Sequence, residues 1–216
     1  MITKDEYTQA RKRMVEEQIH ARGIHEPRVL AVMGSVPRHS FVPLDDQPWA
    51  YSDGPLPIGY GQTISQPYIV ALMTELLELD PNDRVLEVGT GSGYQAAVLG
   101  MLATEVHTVE VIPELARQAE KTLGELGYMQ VHVHTGDGSI GWPEAAPYSK
   151  ILVAAAAPEV PQALFDQLGE GGRLVIPVGS RSLQQLEAWR RIGREFIRQV
   201  SLQVCFVPLR GKFGWK

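Results

Sequence analysis

Val85-Leu86-Glu87-Val88-Gly89-Thr90-Gly91-Ser92-Gly93-Tyr94 joins an apolar run to three alternating glycines and then to a stretch, Tyr94 to Ala103, at helical spacing. The residues read as a buried strand over Arg84 to Val88, a tight turn and a helix start. Glycines at alternate positions permit positive φ and let a ligand lie against bare backbone. The free N–H groups where the helix begins form a positive end suited to a carboxylate or phosphate. A dinucleotide fingerprint asks for G-x-G-x-x-G/A. Here the glycines run G-x-G-x-G, and Tyr94 stands where the third small residue belongs.

The surrounding chain repeats the strand–helix alternation of a doubly wound sheet. Strands are expected over Val106 to Val109, Gln130 to His134, Lys150 to Ala154 and Arg173 to Val178. Helices are expected over Pro113 to Leu126 and Pro161 to Leu168, the latter followed by the turn Gly169-Glu170-Gly171-Gly172. Leu183 to Arg191 and Glu195 to Val207 flank Gly193 and read as a closing hairpin. With the first strand this makes a mostly parallel, seven-stranded, Rossmann-like sheet with helices on both faces. Helices over Tyr7 to Arg22, ending at Gly23, and over Pro27 to Met33 form an N-terminal extension. Pro37 to Gly61 is rich in proline and glycine, too broken for a long regular element, and loops of this length are usually functional. A further helix is expected from Gln66 to Leu79. One domain spans 1–216, with 1–65 as helical extension and substrate loop and 66–216 as cofactor-binding core.

The glycine turn, with the acid Glu87 two residues before its first glycine, resembles the first motif of class I methyltransferases. That resemblance implies S-adenosyl-L-methionine as cofactor. Glu110 lies seventeen residues after Gly93 at the end of the second strand, where an acid can take both ribose hydroxyls in charge-assisted hydrogen bonds. Standing alone, Glu110 would equally suit a solvated acid at a helix start. Gly136-Asp137-Gly138 follows the third strand. Such an Asp is often a simple turn residue, whereas the methyltransferase resemblance puts it beside the adenine, accepting from the exocyclic amine.

Asp53-Gly54-Pro55-Leu56-Pro57-Ile58-Gly59-Tyr60-Gly61-Gln62-Thr63-Ile64-Ser65-Gln66-Pro67 resembles the protein-L-isoaspartate (D-aspartate) O-methyltransferases closely. The likeness continues through Glu87 to Gln95, Asp137-Gly138 with 141–147, Arg173 to Gly179, and Phe206-Val207-Pro208-Leu209. It implies methyl transfer to the α-carboxylate of L-isoaspartyl, and by the family's description D-aspartyl, residues in damaged proteins. It also implies that Thr63, Ile64, Ser65, Glu87, Gly89, Thr90, Gly91, Gly93, Glu110, Asp137 and Gly138 hold the cofactor. Ser65 occupies the position the family uses for catalysis. Read as a residue alone, Ser65 before Gln-Pro is an ordinary helix N-cap, worth about 1 kcal/mol; both roles are expected here. Two positions depart from the family pattern: Ser149 replaces an Asp before the fourth strand, and Ala154 replaces a Thr at its end.

Composition agrees with an ordinary globular protein, neither disordered nor fibrous: 44% hydrophobic and 21% charged residues. No apolar run approaches the roughly 20 residues of a membrane helix, and the first residues lack the apolar core of a secretory signal. A cytoplasmic monomer with no membrane partner is expected. The lone Cys205 rules out an intrachain disulfide and a cysteine-built metal site. A net charge of −5 speaks against general nucleic-acid binding, although residues 173–216 carry nine Lys/Arg against two Asp/Glu. That surplus suits either a solvated basic face or attraction of an acidic substrate. His132 and His134 share one side of a strand and read as structural, so no metal is expected. An RNA-base methyltransferase of this fold would carry Asn/Asp-Pro-Pro-Tyr after the fourth strand; Ala155-Ala156-Ala157-Pro158-Glu159 stands there instead. A small-molecule methyltransferase, and a binding module that keeps the fold without turnover, are the other readings.

Overall fold

The computed structural model describes residues 3–215. Its first helix, α1 (Lys4–Arg13), starts with a reciprocal capping box: Thr3 Oγ1 accepts from the Glu6 N–H, and Glu6 returns to the Thr3 N–H at 2.7 Å. The helical path then widens into a π-turn (Met14–Ile19), tightens to a 3₁₀ turn (His20–Arg22) and stops at Gly23, φ 93°. The single helix expected over Tyr7 to Arg22 is therefore three geometries in series. The wide turn brings Met14 and Ile19, five residues apart and both fully buried, into one core. Helix α2 (Pro27–Met33) carries Pro at its first turn, and the Glu26 side chain caps it through the Val29 N–H.

The proline-rich stretch contains more order than its composition suggests. Two 3₁₀ turns (Arg38–Phe41, Leu44–Trp49) lead into a two-stranded hairpin, β1 (Leu56–Gly59) and β2 (Gln62–Ile64). Gly59, Tyr60 and Gly61 all take positive φ at its tip. The hairpin survives Pro57 because no larger sheet needs the missing N–H, and it buries Ile58 and Ile64.

Then follow α3 (Pro67–Leu76), β3 (Arg84–Val88), α4 (Tyr94–Gly100), β4 (Glu105–Glu110), α5 (Pro113–Glu125), β5 (Val131–Thr135), β6 (Tyr148–Val153), α6 (Gln162–Gln167), β7 (Leu168–Gly179), β8 (Gln184–Ile192) and β9 (Glu195–Val204). The main sheet has the order β5-β4-β3-β6-β7-β8-β9. It is parallel from β5 through β7 and antiparallel from β7 through β9, as expected for this fold class. One expected turn is absorbed into a strand. β6 pairs Tyr148 with Leu168 but Lys150 with Arg173, so the glycines of 169–172 bulge out of β7 instead of separating it from α6.

Residues alternate between two cores across the sheet. Val85, Val106, Leu152 and Val175 pack toward α1–α5, while Leu86, Val88, Ile151 and Leu174 pack toward α6 and Tyr148. The chain winds from β3 toward β5 and then returns past β3 to β6. That reversal opens a crevice at the C-terminal ends of β3 and β6, the ordinary ligand position in an open α/β sheet. Ser149, one of the two departures, lies at the opposite end: its hydroxyl accepts from the Arg84 N–H (2.9 Å) and donates to the Arg84 carbonyl (3.1 Å). It fastens β6 to β3 away from the crevice. Among the described residues no helix is long and apolar enough to cross a membrane.

Candidate active site

Two clefts meet at the crevice. The first, of about 840 Å³ counting space open to solvent, is lined by 62–65, the glycine turn, the end of β4, Gly138, Ala154, Ala155 and 207–210. Its lining combines bare glycine backbone, the Glu110 carboxylate and apolar side chains such as Val88, Val109 and Leu209, the mixture usual at a small-molecule site. The second is a groove walled by Arg22, Pro55, Gln66, Tyr68, Ile69 and 202–207. Thr63, Ser65, Ala154 and Val207 line both.

The glycine turn takes the backbone its composition demands. Gly89, Gly91 and Gly93 have φ of 93°, 52° and 87°. Gly89 and Gly91 face the first cleft. Gly93 does not: a Cβ there would lie 3.2 Å from Leu123 and 3.3 Å from Ala119, so its smallness lets α4 pack on α5.

Glu110 lines the cleft at the tip of β4, its carboxylate already oriented by the Gly91 N–H (2.8 Å) and the Ile112 N–H (3.0 Å). A carboxylate has about four acceptor positions, so two remain for the hydroxyls of a ribose. Glu87 sits beneath the turn, fully buried and outside the cleft lining. Thr108 Oγ1 donates to it at 2.5 Å and shares a 2.7 Å hydrogen bond with Thr90, which does reach the cleft. Burial pushes the Glu87 carboxyl up to about 8, against the pull of the Thr108 hydrogen bond and with help from Glu110. Near neutral pH it is chiefly a neutral acid, and its Oε1 has no partner among the described residues.

Asp137 is used differently from the expected adenine contact. Its Oδ1 accepts from the Ser139 N–H and hydroxyl (2.9 and 2.6 Å), and its Oδ2 from the Lys212 N–H (2.7 Å). Burial raises its pKa, but those donors outweigh it and hold the carboxyl below its usual range. Asp137 thus anchors the C-terminal segment, and only its neighbour Gly138 lines the cleft. That segment forms one wall through Val207, Pro208, Leu209 and Arg210. Its register is set by the Leu209 N–H to the Ala156 carbonyl (2.7 Å) and by Trp215 Nε1 to the same carbonyl (3.1 Å). The Phe206-Val207-Pro208-Leu209 run carried a resemblance in the sequence but no expected role. Ser92, Tyr94, Gln95, Val111 and Ile112 also line the cleft; the first three have no signal beyond adjacency to the glycine turn.

Ser65 corrects one expectation. Gln66, not Ser65, is the N-cap of α3, and no side chain caps that helix. Pro67 in its first turn removes one N–H a cap would satisfy. Ser65 instead is held through its carbonyl, which accepts from Arg38 Nη2 at 2.7 Å. Its hydroxyl is free of helix duty at the junction of the two clefts. In the groove, Arg22 pairs with Asp53 (3.0 Å) and stacks over the Tyr68 ring (3.9 Å), while Gln66 Nε2 donates to Asp53 Oδ1 (2.7 Å).

His132 and His134 do face one side, gathered around His107: His107 Nδ1 lies 2.9 Å from His134 Nε2, and His134 stacks on Trp142. Among the described residues no cluster is suited to a metal ion. Within the C-terminal basic surplus three cations are paired, Arg173 with Glu78, Arg191 with Glu170 and Arg198 with Glu187.

The sheet order, the glycine turn under a ribose-ready carboxylate and the adjoining groove define a class I methyltransferase. A family model described as protein-L-isoaspartate(D-aspartate) O-methyltransferase matches residues 9–214, and the chain belongs to that family. A protein-L-isoaspartate O-methyltransferase of Methanoculleus marisnigri is 56% identical over 95% of this chain and 94% of its own. That of Methanoregula boonei is 53% identical over the full length of both. A Plasmodium falciparum structure assigned to the same enzyme, solved with S-adenosyl-L-homocysteine, superimposes with a TM-score of 0.80 at 26% identity, covering 93% of this chain and 98% of the other.

Proposed function

We propose that this chain uses S-adenosyl-L-methionine to methylate the α-carboxylate of L-isoaspartyl residues in damaged proteins. The observation that carries the reading is the shared wall of the two clefts, where Thr63, Ser65, Ala154 and Val207 border both. A donor in one cleft and a peptide carboxylate in the groove meet only there.

The residues present fit the cofactor. Glu110 offers two free acceptor positions to a ribose, and the glycine turn offers bare backbone. Glu87, buried beneath the turn, braces it through Thr108 and Thr90, and Thr90 lines the cleft. When bound, S-adenosyl-L-methionine supplies an electrophilic sulfonium methyl. The acceptor needs no base, because a carboxylate titrating near pH 4 is ionised at neutral pH. The chain's work is positioning and exclusion of water. Ser65 Oγ donates to the carboxylate, and the N–H groups in the first turn of α3, which no side chain caps, add positive potential. The groove floor, the outer end of β9 and the segment to Val207, presents extended backbone to an incoming peptide, a geometry suited to strand addition. In the methyl ester the methoxy group can leave, which a carboxylate oxygen cannot. The following backbone nitrogen attacks the ester carbonyl, its proton leaves with the methoxy group as methanol, and the succinimide closes; hydrolysis of the succinimide returns part of the chain to normal aspartyl linkage.

This reading takes 1–216 as one catalytic domain acting as a cytoplasmic monomer on protein substrates, with no nucleic-acid partner. Transfer of tritiated methyl to an isoaspartyl peptide, with the matching aspartyl peptide as control, tests it. Label in the isoaspartyl peptide alone is expected. Equal labelling of both peptides, or cofactor binding with no labelled acceptor, overturns it.

A further inference from the structure

Arg38 is the bulkiest fully buried side chain among the described residues. Burial lowers its guanidinium to about 10, so it remains a cation at neutral pH. Among the described residues no carboxylate pairs with it: the Tyr94 ring lies 4.8 Å from Cζ, and the Tyr94 and Tyr51 phenols are the groups that act on its charge. A buried cation without a counter-ion is a costly way to fill a core. An apolar side chain would be the cheaper occupant if packing were its only task.

Its hydrogen bonds show what the fork grips. Nε donates to the Ala50 carbonyl and Nη2 to the Ser65 carbonyl, both at 2.7 Å, and Nη1 has no hydrogen-bond partner among the described residues. Ala50 and Ser65 bracket the segment that carries the β1–β2 hairpin. The guanidinium therefore staples the two ends of the substrate loop together. Its other face rests on Tyr94, the first residue of α4 and part of the cofactor cleft wall. One rigid planar group thus touches the Ser65 peptide on one side and the helix leaving the glycine turn on the other. Rotation of the Ser65 peptide plane would swing its hydroxyl relative to the methyl donor, and the Arg38 fork prevents that rotation.

We propose that Arg38 is a positioning residue for methyl transfer, setting the angle of Ser65 against the cofactor turn through the Ser65 carbonyl. The inference rests on the reading that Ser65 meets the substrate carboxylate. Lys at this position keeps the charge but cannot hold two carbonyls in a plane, and Met keeps the bulk alone. The expected result for R38K is a kcat lowered roughly 10- to 100-fold, the scale set by small misplacements of reacting groups. KM for the isoaspartyl peptide and the calorimetric Kd for S-adenosyl-L-homocysteine should stay within about threefold. R38M should fall further, so that R38K is a partial rescue of it. In R38K/S65A the loss should be no larger than in S65A, because the two residues act as one unit. A purely architectural Arg38 would move KM, Kd and kcat together and would add to S65A. Additivity, or a kcat within twofold of wild type in both folded variants, overturns the proposal. Failure of both variants to fold even with saturating S-adenosyl-L-homocysteine also overturns it, since Arg38 is then a requirement of the fold. Wild-type turnover in S65A alone would sink the Ser65 reading separately, before Arg38 is consulted.

Discussion

The cofactor turn and the substrate loop sit side by side in the crevice but are held in opposite ways. Between β3 and α4 the chain needs only five residues, 89–93, and its conformation follows from three glycines at positive φ and one nearby carboxylate. Between Pro37 and Ser65 the chain wanders through two 3₁₀ turns and a hairpin, and its position is set from afar. Arg38 clamps both ends, and Asp53 is gripped by Arg22 and Gln66. A turn made by backbone preference is stiff by itself. A loop made by polar clamps is only as fixed as its partners, which suits the side that must admit and release a protein chain.

Substitutions should separate the two regions, and the largest effect belongs to the loop. Ser65→Ala should lower kcat on an isoaspartyl peptide by roughly 100-fold or more, the usual cost of one transition-state donor. Its Tm should barely move: a lost helix cap would lower Tm by about 2–4 °C in a chain of this size, and Ser65 is not the cap. Kinetics beside a thermal melt decide the point. A near wild-type kcat would erase the distinction between the regions.

Gly91→Ala should strike the turn instead. Its φ of 52° costs an L-residue about 1–2 kcal/mol, and the added Cβ would lie 3.4 Å from Ile58 Cδ1 of the β1–β2 hairpin. Calorimetry should show cofactor affinity weakened roughly tenfold, the equivalent of about 1.4 kcal/mol, whereas Ser65→Ala should leave that affinity unchanged. Weakened cofactor binding in both variants would mean that loop and turn form one unit.

Asp137→Asn should have the smallest effect on turnover and sharpen where the cofactor wall comes from. It keeps the shape but weakens the anchor of the C-terminal segment, costing about 1–2 kcal/mol in urea unfolding. The Asp137 carboxyl is held below its ordinary 3.8. Its contribution is therefore fully present above that value and lost as the pH falls through the lower folded-state value. Acid unfolding of the Asn variant should lack that part of the pH dependence. An unchanged acid limb would show that Lys212 and Ser139 do not hold the segment through this side chain.

The sequence alone supports the strand–turn–helix unit, the Glu110 carboxylate at the tip of β4, the strand–helix alternation of a doubly wound sheet and the closing hairpin. Each rests on contacts between near neighbours or on a repeating pattern that shows in the residues. The hairpin at 56–64 is not legible in the residues because its prolines read as punctuation, although an isolated two-stranded ribbon tolerates them. The sequence marks Glu87 and Asp137 by their places in the motifs, but not the directions of their side chains. Glu87 turns under the turn to Thr108, and Asp137 turns to Lys212, 75 residues away. Arg38 had no signal at all, since nothing in Pro37-Arg38-His39 tells that the cation will be buried between two carbonyls.

What the sequence by itself determined is the fold class, the cofactor turn and, through the uninterrupted loop motif from Asp53 to Pro67, the family to which the chain belongs. Backbone preferences and hydrophobic periodicity act within a few residues, so they can be read along the chain. Only the tertiary structure decided that Ser65 is free of capping and stands where two clefts join. It alone showed the C-terminal segment as a wall of the cofactor cleft and a lone buried guanidinium bracing the loop. Those facts depend on which distant donors meet which carbonyls after the sheet has closed, and hydrogen bonds across 27 or 75 residues leave no local trace in the chain.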